Sequence, residues 1–469
     1  MPRLTLAELV RATQGALVGG RLDTIVTGVS IDSRTCRPGD AFFAIRGTHQ
    51  DGQAFVGHAR MRGAACAVTA RIPVGLDAEA DFPVVLVDDT TAALQRLGAA
   101  HRRRFAIPVI GITGSNGKTT TKELVATVLS ARRRVLKPVG SYNNQWGVPL
   151  TLLALEPEHE AAVLEIGMNA FGEIAALAQL CQPTVGVVTA IAPAHLEGVG
   201  SVEGVQKAKG ELVEAIPPDG VVVLNADDSL VLALAARSKA PVMTYGQADR
   251  ADVRLGDVAL ADGGLAFRLA AGRATADVRL PLAGRHNAWH AAAAAAVGLA
   301  LGVPLDEAAA ALALATPVKG RLVWREAGGG VRILDDTYNA NPVSVRAALD
   351  AFREAPGGGR RWVILGDMLE LGTLTESAHR EVGTWVAGQP VAGLAAVGSA
   401  MRLAAEAARA GGCPDVATFA SPEGAAAHVL SRVVRGDRVL VKGSRGMRME
   451  RGVDALLAGL TGSGEAPRC

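Results

Sequence analysis

The segment Ile107-Pro-Val-Ile-Gly-Ile-Thr-Gly-Ser-Asn-Gly-Lys-Thr-Thr-Thr carries the residues best suited to chemistry. An apolar run enters a loop of Gly114, Ser115, Asn116 and Gly117, and Lys118, Thr119 and Thr120 open the next element. Glycines let successive backbone N–H groups turn toward phosphate oxygens, and a helix N-terminus behind them adds a positive end. Lys118 can then neutralise phosphate charge, and the Thr119 hydroxyl can reach Mg2+. The standard Gly-x-x-x-x-Gly-Lys spacing would need glycine at 112, where this chain has Ile112. What survives is Gly114-x-x-Gly117-Lys118-Thr119. An ordinary glycine-rich turn is the competing reading, and the strand before and helix after the loop argue against it.

A nucleoside triphosphate brings Mg2+, which needs oxygen ligands at the carboxyl ends of neighbouring strands. Glu165 ends the apolar run Ala161-Ala-Val-Leu-Glu, where it can meet a metal or simply cap the next helix. His195 follows the run 185–191 through Ala-Pro-Ala, as a ligand or as a surface histidine.

These residues need strands to carry them. Periodicity predicts strands at 107–112, 161–166 and 185–191 and a helix at 118–129, a mainly parallel sheet covered by helices on both faces. Residues 251–283 interrupt the alternation as an antiparallel appendage. A third series has strand candidates at 331–334, 362–365, 394–397 and 438–441. Ahead of the loop, β-like runs at 24–31 and 41–45 alternate with helices at 4–12 and 54–62, and a helical connector spans 90–105. Its basic end, His101-Arg-Arg-Arg, reads as a solvated helix terminus. The glycine runs at 327–330 and 357–359 read as surface turns, since no helix follows either. The fold class is α/β in three domains: a small mixed α/β domain (1–88), a P-loop parallel-sheet domain (89–316) and a Rossmann-like C-terminal domain (317–469). Two α/β domains in tandem leave a cleft for ligands.

Composition agrees with that division. A chain of 469 residues suggests about three domains at roughly 150 residues each. Forty-eight Lys+Arg against 46 Asp+Glu leave a net charge of +2, and aromatic residues are only 4%, so no nucleic-acid partner is expected. Glu8 and Arg11 interrupt the N-terminal apolar residues before a signal peptide forms. The longest apolar stretch, 291–305, contains Pro304 and falls short of the ~20 residues of a membrane span, so it reads as a buried helix. Cys36, Cys66, Cys181, Cys413 and Cys469 form no Cys-x-x-Cys pair. Neither a zinc site nor a disulfide framework is supported, and a cytoplasmic protein is expected.

The series Thr113-Gly-Ser-Asn-Gly-Lys-Thr-Thr, Ser141-Tyr-Asn-Asn-Gln-Trp-Gly-Val-Pro-Leu-Thr, Glu165-Ile-Gly-Met-Asn, Ala194-His-Leu-Glu-Gly, Lys207-Ala-Lys-Gly-Glu and Gly284-Arg-His-Asn resembles the Mur ligases. These are ATP-dependent amide-forming enzymes of peptidoglycan synthesis. The resemblance runs from Asp32-Ser-Arg to Lys442-Gly-Ser-Arg. Asp335-Asp-Thr-Tyr-Asn-Ala-Asn-Pro-Val-Ser, Val363-Ile-Leu-Gly-Asp-Met-Leu-Glu-Leu-Gly and Lys442-Gly-Ser-Arg-Gly-Met-Arg-Met-Glu are similar to the member that adds D-alanyl-D-alanine. The tripeptide-forming member typically has Asp-Tyr-Ala-His-Thr-Pro at the first of these places. The reaction implied joins D-alanyl-D-alanine to UDP-N-acetylmuramoyl-tripeptide through an acyl phosphate, with ATP and Mg2+, in a monomer.

The resemblance also implies roles residue by residue. Lys118 would serve the phosphates; Glu165 and His195, with Thr119, would hold metal. Lys209 aligns with a lysine that relatives carry as a carbamate, with Lys207 the rival position and an unmodified surface lysine the plain alternative. Asn287 resembles an adenine contact, and Arg321 and Asp336 resemble nucleotide contacts from the domain junction and the third domain. Ser33, Arg34 and Asp51 would hold the uridine-diphosphate end. Asn143 and Asn144 look placed for the sugar or peptide, although Asn-Asn is also a turn signal. Tyr338, Asn339, Asn341, Ser444 and Arg445 would line the remaining substrate site. Two departures stand out: Ala170 where many relatives have His, and His290 where they often have Asn. A P-loop motor or switch would account for Gly114 to Thr119 alone, and leave the later motifs unexplained.

Overall fold

The computed structural model describes residues 3–47, 50–72, 82–138, 140–261 and 263–461. Three sheets of five or more strands organise them, with one two-stranded sheet beside the first. The first has five strands in the order Ala16–Val18, Val84–Leu86, Cys66–Thr69, Asp40–Phe43 and Gly28–Ser30, parallel except at the Ala16–Val18 edge. The helix expected at 4–12 starts at Leu6, because Thr5 caps it: Thr5 Oγ1 accepts from Glu8 N, and Glu8 accepts from Thr5 N. Leu4 and Thr5 instead pair with Ile25–Val26.

The ten-stranded central sheet has Val109–Thr113 in its middle, flanked by Ala161–Glu165 and Val185–Val188. The chain winds first to one side, through Val135–Leu136 and Ala161–Glu165, and then to the other, through Val185–Val188, Val221–Asn225 and Val242–Gly246. A doubly wound sheet opens a crevice where the direction of winding reverses, at the carboxyl end of the middle strand. Both faces of Val109–Thr113, Ala161–Glu165 and Val185–Val188 are covered, so these strands are buried throughout and polar only at Thr113 and Glu165. Ile110, Ile112 and Val163 face the helices Lys118–Leu129 and Asn287–Ala300; Val109, Ala162 and Leu164 face Glu173–Cys181 and Val202–Ala215. The run 291–305 is a buried helix over its first part, as expected. Its alanines let it lie close on the Lys118–Leu129 helix, where a Cβ on Gly298 would be 2.7 Å from Val128 Cγ1. The antiparallel strands at 251–283 extend this sheet rather than forming a separate one, through the parallel pairing of Val253–Leu255 with Val242–Gly246.

The six-stranded third sheet runs Val323–Glu326, Arg332–Asp336, Arg438–Lys442, Arg361–Gly366, Gly393–Val397 and Asp415–Phe419, parallel except for the first pair. Gly328–Gly330 forms a single 3-10 turn with no helix behind it.

The basic cluster at 101–104 corrects an expectation. Arg103 and Arg104 are exposed, but His101 and Arg102 are buried. Arg102 donates to the carbonyls of Cys181 (2.9 Å), Phe105 (2.5 Å) and Ile107 (3.3 Å), satisfying the C-terminus of the Glu173–Cys181 helix. A guanidinium can be buried where carbonyl oxygens converge on it, and that convergence is made by distant segments. Among the described residues, no helix is long and apolar enough to cross a membrane.

Candidate active site

The middle strand ends at Thr113, the loop turns through Gly114 to Gly117, and the Lys118–Leu129 helix begins at once. Gly114 has φ 149°, and a Cβ there would lie 1.9 Å from Thr189 Oγ1; Gly117 has φ 82°, and its Cβ would lie 2.1 Å from His290 Cε1. Only glycine combines that backbone with so close an approach. The segment after the Val185–Val188 strand grips the loop: Thr189 Oγ1 donates to Asn116 O (2.6 Å), Ser115 N to Ala190 O (2.8 Å) and Ser115 Oγ to Ala192 O (2.9 Å). The loop is therefore shaped before any ligand arrives.

Lys118 Nζ folds back to donate to Gly114 O at 2.7 Å. Burial pulls its pKa down, the Glu165 carboxylate opposes that, and Arg321 adds to the lowering. On the next residue, Thr119 Oγ1 donates to Glu165 Oε2 at 2.9 Å, while Asn143 Nδ2 donates to Glu165 Oε1 at 2.8 Å. Strand register sets this up, because Glu165 pairs beside Ile112. Thr120 is half-buried on the first helical turn.

Lys209 and Lys207 occupy opposite environments. Lys209 is 1% exposed, and burial followed by the nearby Lys118 charge pushes its pKa well below the usual lysine range. Lys207 is exposed and lies 5.5 Å from the Phe171 ring centroid. His195 takes the left-handed backbone (φ 56°, ψ 31°) ahead of the Leu196–Val199 turn, and its Nδ1 lies 2.7 Å from Glu370 Oε2 of the third domain.

The third domain closes the other wall. Asn341 Nδ2 donates to Asn116 Oδ1 at 2.8 Å, and Tyr338 OH is hydrogen-bonded to Ser141 Oγ. The Arg321 guanidinium sits 4.2 Å from the Tyr338 ring centroid and donates to Thr119 Oγ1 at 3.3 Å; Arg445 lies near the same ring at 5.9 Å. One cavity of about 450 Å3 is lined by Ser115 to Lys118, Asn143, Asn144, Glu165, His195, Arg321, Tyr338, Asn339, Asn341 and Arg445.

Other expected residues lie outside that cavity. Asp336 is buried in the third domain, accepting from Lys442 Nζ (2.6 Å) and Leu322 N (3.2 Å). Ser444 is buried too, and its Oγ accepts from Leu369 N at 2.9 Å. Asn287 starts the alanine-rich helix one turn before His290; its Nδ2 donates to Ala283 O at 2.6 Å. In the first domain, Arg34 pairs with Asp32 at 2.7 Å, Ser33 Oγ bonds His58 Nδ1 at 3.0 Å, and Asp51 caps the turn Gly52–Phe55. A second hollow of about 320 Å3, lined by Ile31, Asp32, Thr35 and Tyr142, shares Asn144 and Trp146 with the main cavity.

Around the phosphate loop, several buried polar atoms have no hydrogen-bond partner among the described residues: Asn116 Nδ2, Asn287 Oδ1, His290 Nδ1 and Arg321 Nε. Buried polar groups are nearly always paired, so the unpaired atoms of Asn116, His290 and Arg321 at one loop fit a polar ligand. The surroundings of His290 favour its neutral ring. Burial, then His286 and Arg321, push its pKa down to about 3. Sequence reasoning missed Thr189 and Glu370; the second lies in a motif already singled out, but its partner is in another domain.

Models of three domains match the chain: "Mur ligase family, catalytic domain" over residues 25–102, "Mur ligase middle domain" over 112–298, and "Mur ligase, glutamate ligase domain" over 320–445. The chain belongs to the Mur ligase family. This Mur ligase is 34% identical to the UDP-N-acetylmuramoyl-tripeptide--D-alanyl-D-alanine ligase of Bacillus subtilis (strain 168), covering 97% of this chain and 99% of that one. Its structure is similar to MurF from Acinetobacter baumannii, with TM-score 0.87, 33% identity and coverage of 98% and 99%. It is also similar to MurF ligase from Thermotoga maritima in complex with ADP, with TM-score 0.80, 28% identity and coverage of 92% and 97%.

Proposed function

We propose that this chain is an ATP-dependent amide ligase that joins D-alanyl-D-alanine to UDP-N-acetylmuramoyl-tripeptide, giving UDP-N-acetylmuramoyl-pentapeptide, ADP and phosphate. The observation that carries the reading is the shared cavity, in which Lys118 and Glu165 of the central domain face Asn339, Asn341 and Arg445 of the third. The MurF relatives, similar over almost the whole chain, support it. Residues 1–88 would hold the uridine-diphosphate end, 89–316 the ATP, and 317–469 the incoming dipeptide.

A carboxylate does not react with an amine at neutral pH, so the tripeptide carboxylate is first phosphorylated by ATP. Two anions must approach, and electrostatics and positioning do most of the work. Lys118 would exchange Gly114 O for the phosphate, the loop N–H groups would hold the remaining oxygens, and Arg321 would approach from the domain junction. The dipeptide amine then attacks the acyl carbon; the C–N bond forms, the C–O bond to phosphate breaks, and phosphate leaves with the electron pair and takes up the proton the amine loses. Domain closure would exclude water from the acyl phosphate.

The residues present fit Mg2+. Among the described residues no three His, Cys, Asp or Glu side chains cluster as a metal cage, and Mg2+ is usually held by one or two carboxylates with substrate phosphates supplying the rest. Glu165 and Thr119 offer the hard oxygens, with His195 nearby. When bound, the ion would supply charge neutralisation between phosphate and carboxylate. A carbamate on Lys209 would add an anionic ligand; its lowered pKa leaves more free amine to combine with CO2, losing a proton. We place the enzyme in the cytoplasm as a monomer, at the last cytoplasmic step of pentapeptide assembly.

Phosphate release from purified protein tests the reading. Turnover is expected only with ATP, UDP-tripeptide and D-alanyl-D-alanine together, and lost by at least about 10²-fold in Lys118→Ala. Turnover driven by a polymer, or product from UDP-dipeptide and a free diamino acid, would overturn it.

A further inference from the structure

His195 meets a carboxylate that comes from the third domain. Glu370 Oε2 lies 2.7 Å from Nδ1, off the axis of the ring N–H, and one residue on, Leu196 N donates to Glu370 O at 3.2 Å. Backbone and side chain thus hold the same place from both sides of the domain junction. A chance surface ion pair needs no special backbone, yet both partners are non-glycine residues in the left-handed region, His195 at φ 56° and Glu370 at φ 64°. Such conformations persist where the surroundings enforce them, commonly at functional sites.

Glu370 sits on a rigid support. Asp367 Oδ1 accepts from Met401 N (2.7 Å), Met368 N donates to His379 Nε2 (3.1 Å), and Leu369 N donates to Ser444 Oγ (2.9 Å). Each residue before Glu370 is tied into the third domain, and Glu370 is the one that reaches across. Even off the N–H axis, a carboxylate 2.7 Å from Nδ1 repels a lone pair on that nitrogen, which favours the tautomer with its proton there and leaves Nε2 as the lone-pair nitrogen for the cavity that His195 shares with Glu165.

We propose that Glu370 is a positioning residue: it fixes the tautomer and orientation of His195, so that the central domain's cation site is complete only when the third domain is docked. This rests on the ligase reading, in which His195 serves a divalent cation. Carboxylates that orient a ligating histidine typically change metal affinity 10- to 100-fold when removed.

The test is Mn2+ binding in the presence of ADP, followed by the loss of free Mn2+ signal in electron paramagnetic resonance, for the full chain and for E370Q, E370A, H195A and H195A/E370A. The dissociation constant is expected to rise about 10-fold or more in E370A and less in E370Q, which keeps the volume and a hydrogen-bond acceptor. H195A/E370A should bind as H195A does, because Glu370 acts through His195. ADP affinity without metal should be the same in all. Wild-type affinity in both E370A and E370Q, or losses that add in the double variant, would overturn the proposal while leaving the ligase reading intact. If E370A does not fold, E370Q with H195A/E370Q decides in the same way. Wild-type protein that binds Mn2+ no better with ADP than without would overturn both.

Discussion

Asn341 joins two domains with one side chain: its Nδ2 donates to Asn116 Oδ1 in the phosphate loop at 2.8 Å, while its Oδ1 caps the Pro342–Glu354 helix by accepting from Ser344 N. The two duties can be separated by substitution. Ser caps a helix as well as Asn does but is too short to reach Asn116. N341S is expected to keep its urea midpoint and lose several-fold in kcat/KM for ATP, whereas N341A should also lose about 1 kcal/mol of stability. Equal kinetics in N341S and wild type would separate the third domain from the loop.

Gly117 and His290 should be coupled in the same sense. In G117A the new methyl meets the His290 ring at 2.1 Å and also sits at φ 82°. Stability is expected to fall by more than the ~1 kcal/mol of a left-handed alanine alone. G117A/H290A should recover part of that loss, since the ring is gone and only the backbone strain remains. Additive losses in thermal unfolding would show that the two positions do not touch.

His290 also makes a pH prediction. Its pKa is about 3 in the folded chain and near 6.5 when unfolded. Between these values the unfolded state holds the proton and the folded state does not, so stability rises with pH across the window and levels off above 6.5. H290N removes this titrating group and should make the rise between pH 4 and 6.5 shallower in chemical denaturation curves, leaving the part that the buried His286 and His101 contribute. Parallel profiles for wild type and H290N would show a histidine with ordinary solvation.

Lys209 can be tested chemically. If it carries a carbamate, Lys209→Ala should be nearly inactive and regain activity with added short carboxylates, while Lys207→Ala, on the exposed face, should not respond. CO2-depleted buffer should slow the wild type reversibly. Full activity in Lys209→Ala would remove the carbamate from the mechanism.

What the sequence revealed depended on how local the physics was. The helix Lys118–Leu129 matches its expected limits because glycine, lysine and apolar spacing act within one segment. The strands around it were legible as apolar runs for the same reason. Thr189 was not, because its grip on the loop follows from the pairing of Val188 with Thr113. His101 and Arg102 looked solvated beside Arg103 and Arg104, since the carbonyls that bury Arg102 come from residues 105–107 and 181–182. Glu370 was visible as part of a motif, but its partner is fixed only once two domains are docked. The first domain's Ser33 and Arg34 could be named from resemblance, while the hollow beside them had no signal in spacing at all.

The wall between the two hollows is itself braced. Trp146 Nε1 donates to Thr91 Oγ1 at 3.0 Å, and Asn144 Oδ1 accepts from Trp146 N and Gly147 N. A ligand long enough to pass Asn144 and Trp146 therefore has its two ends held at a set interval. Once one end is seated, the local concentration of the other beside Glu165 depends on the ligand's own length rather than on its abundance in solution. In that arrangement a short fragment with the correct reactive group is penalised as a free competitor, and the partition turns molecular length into selectivity.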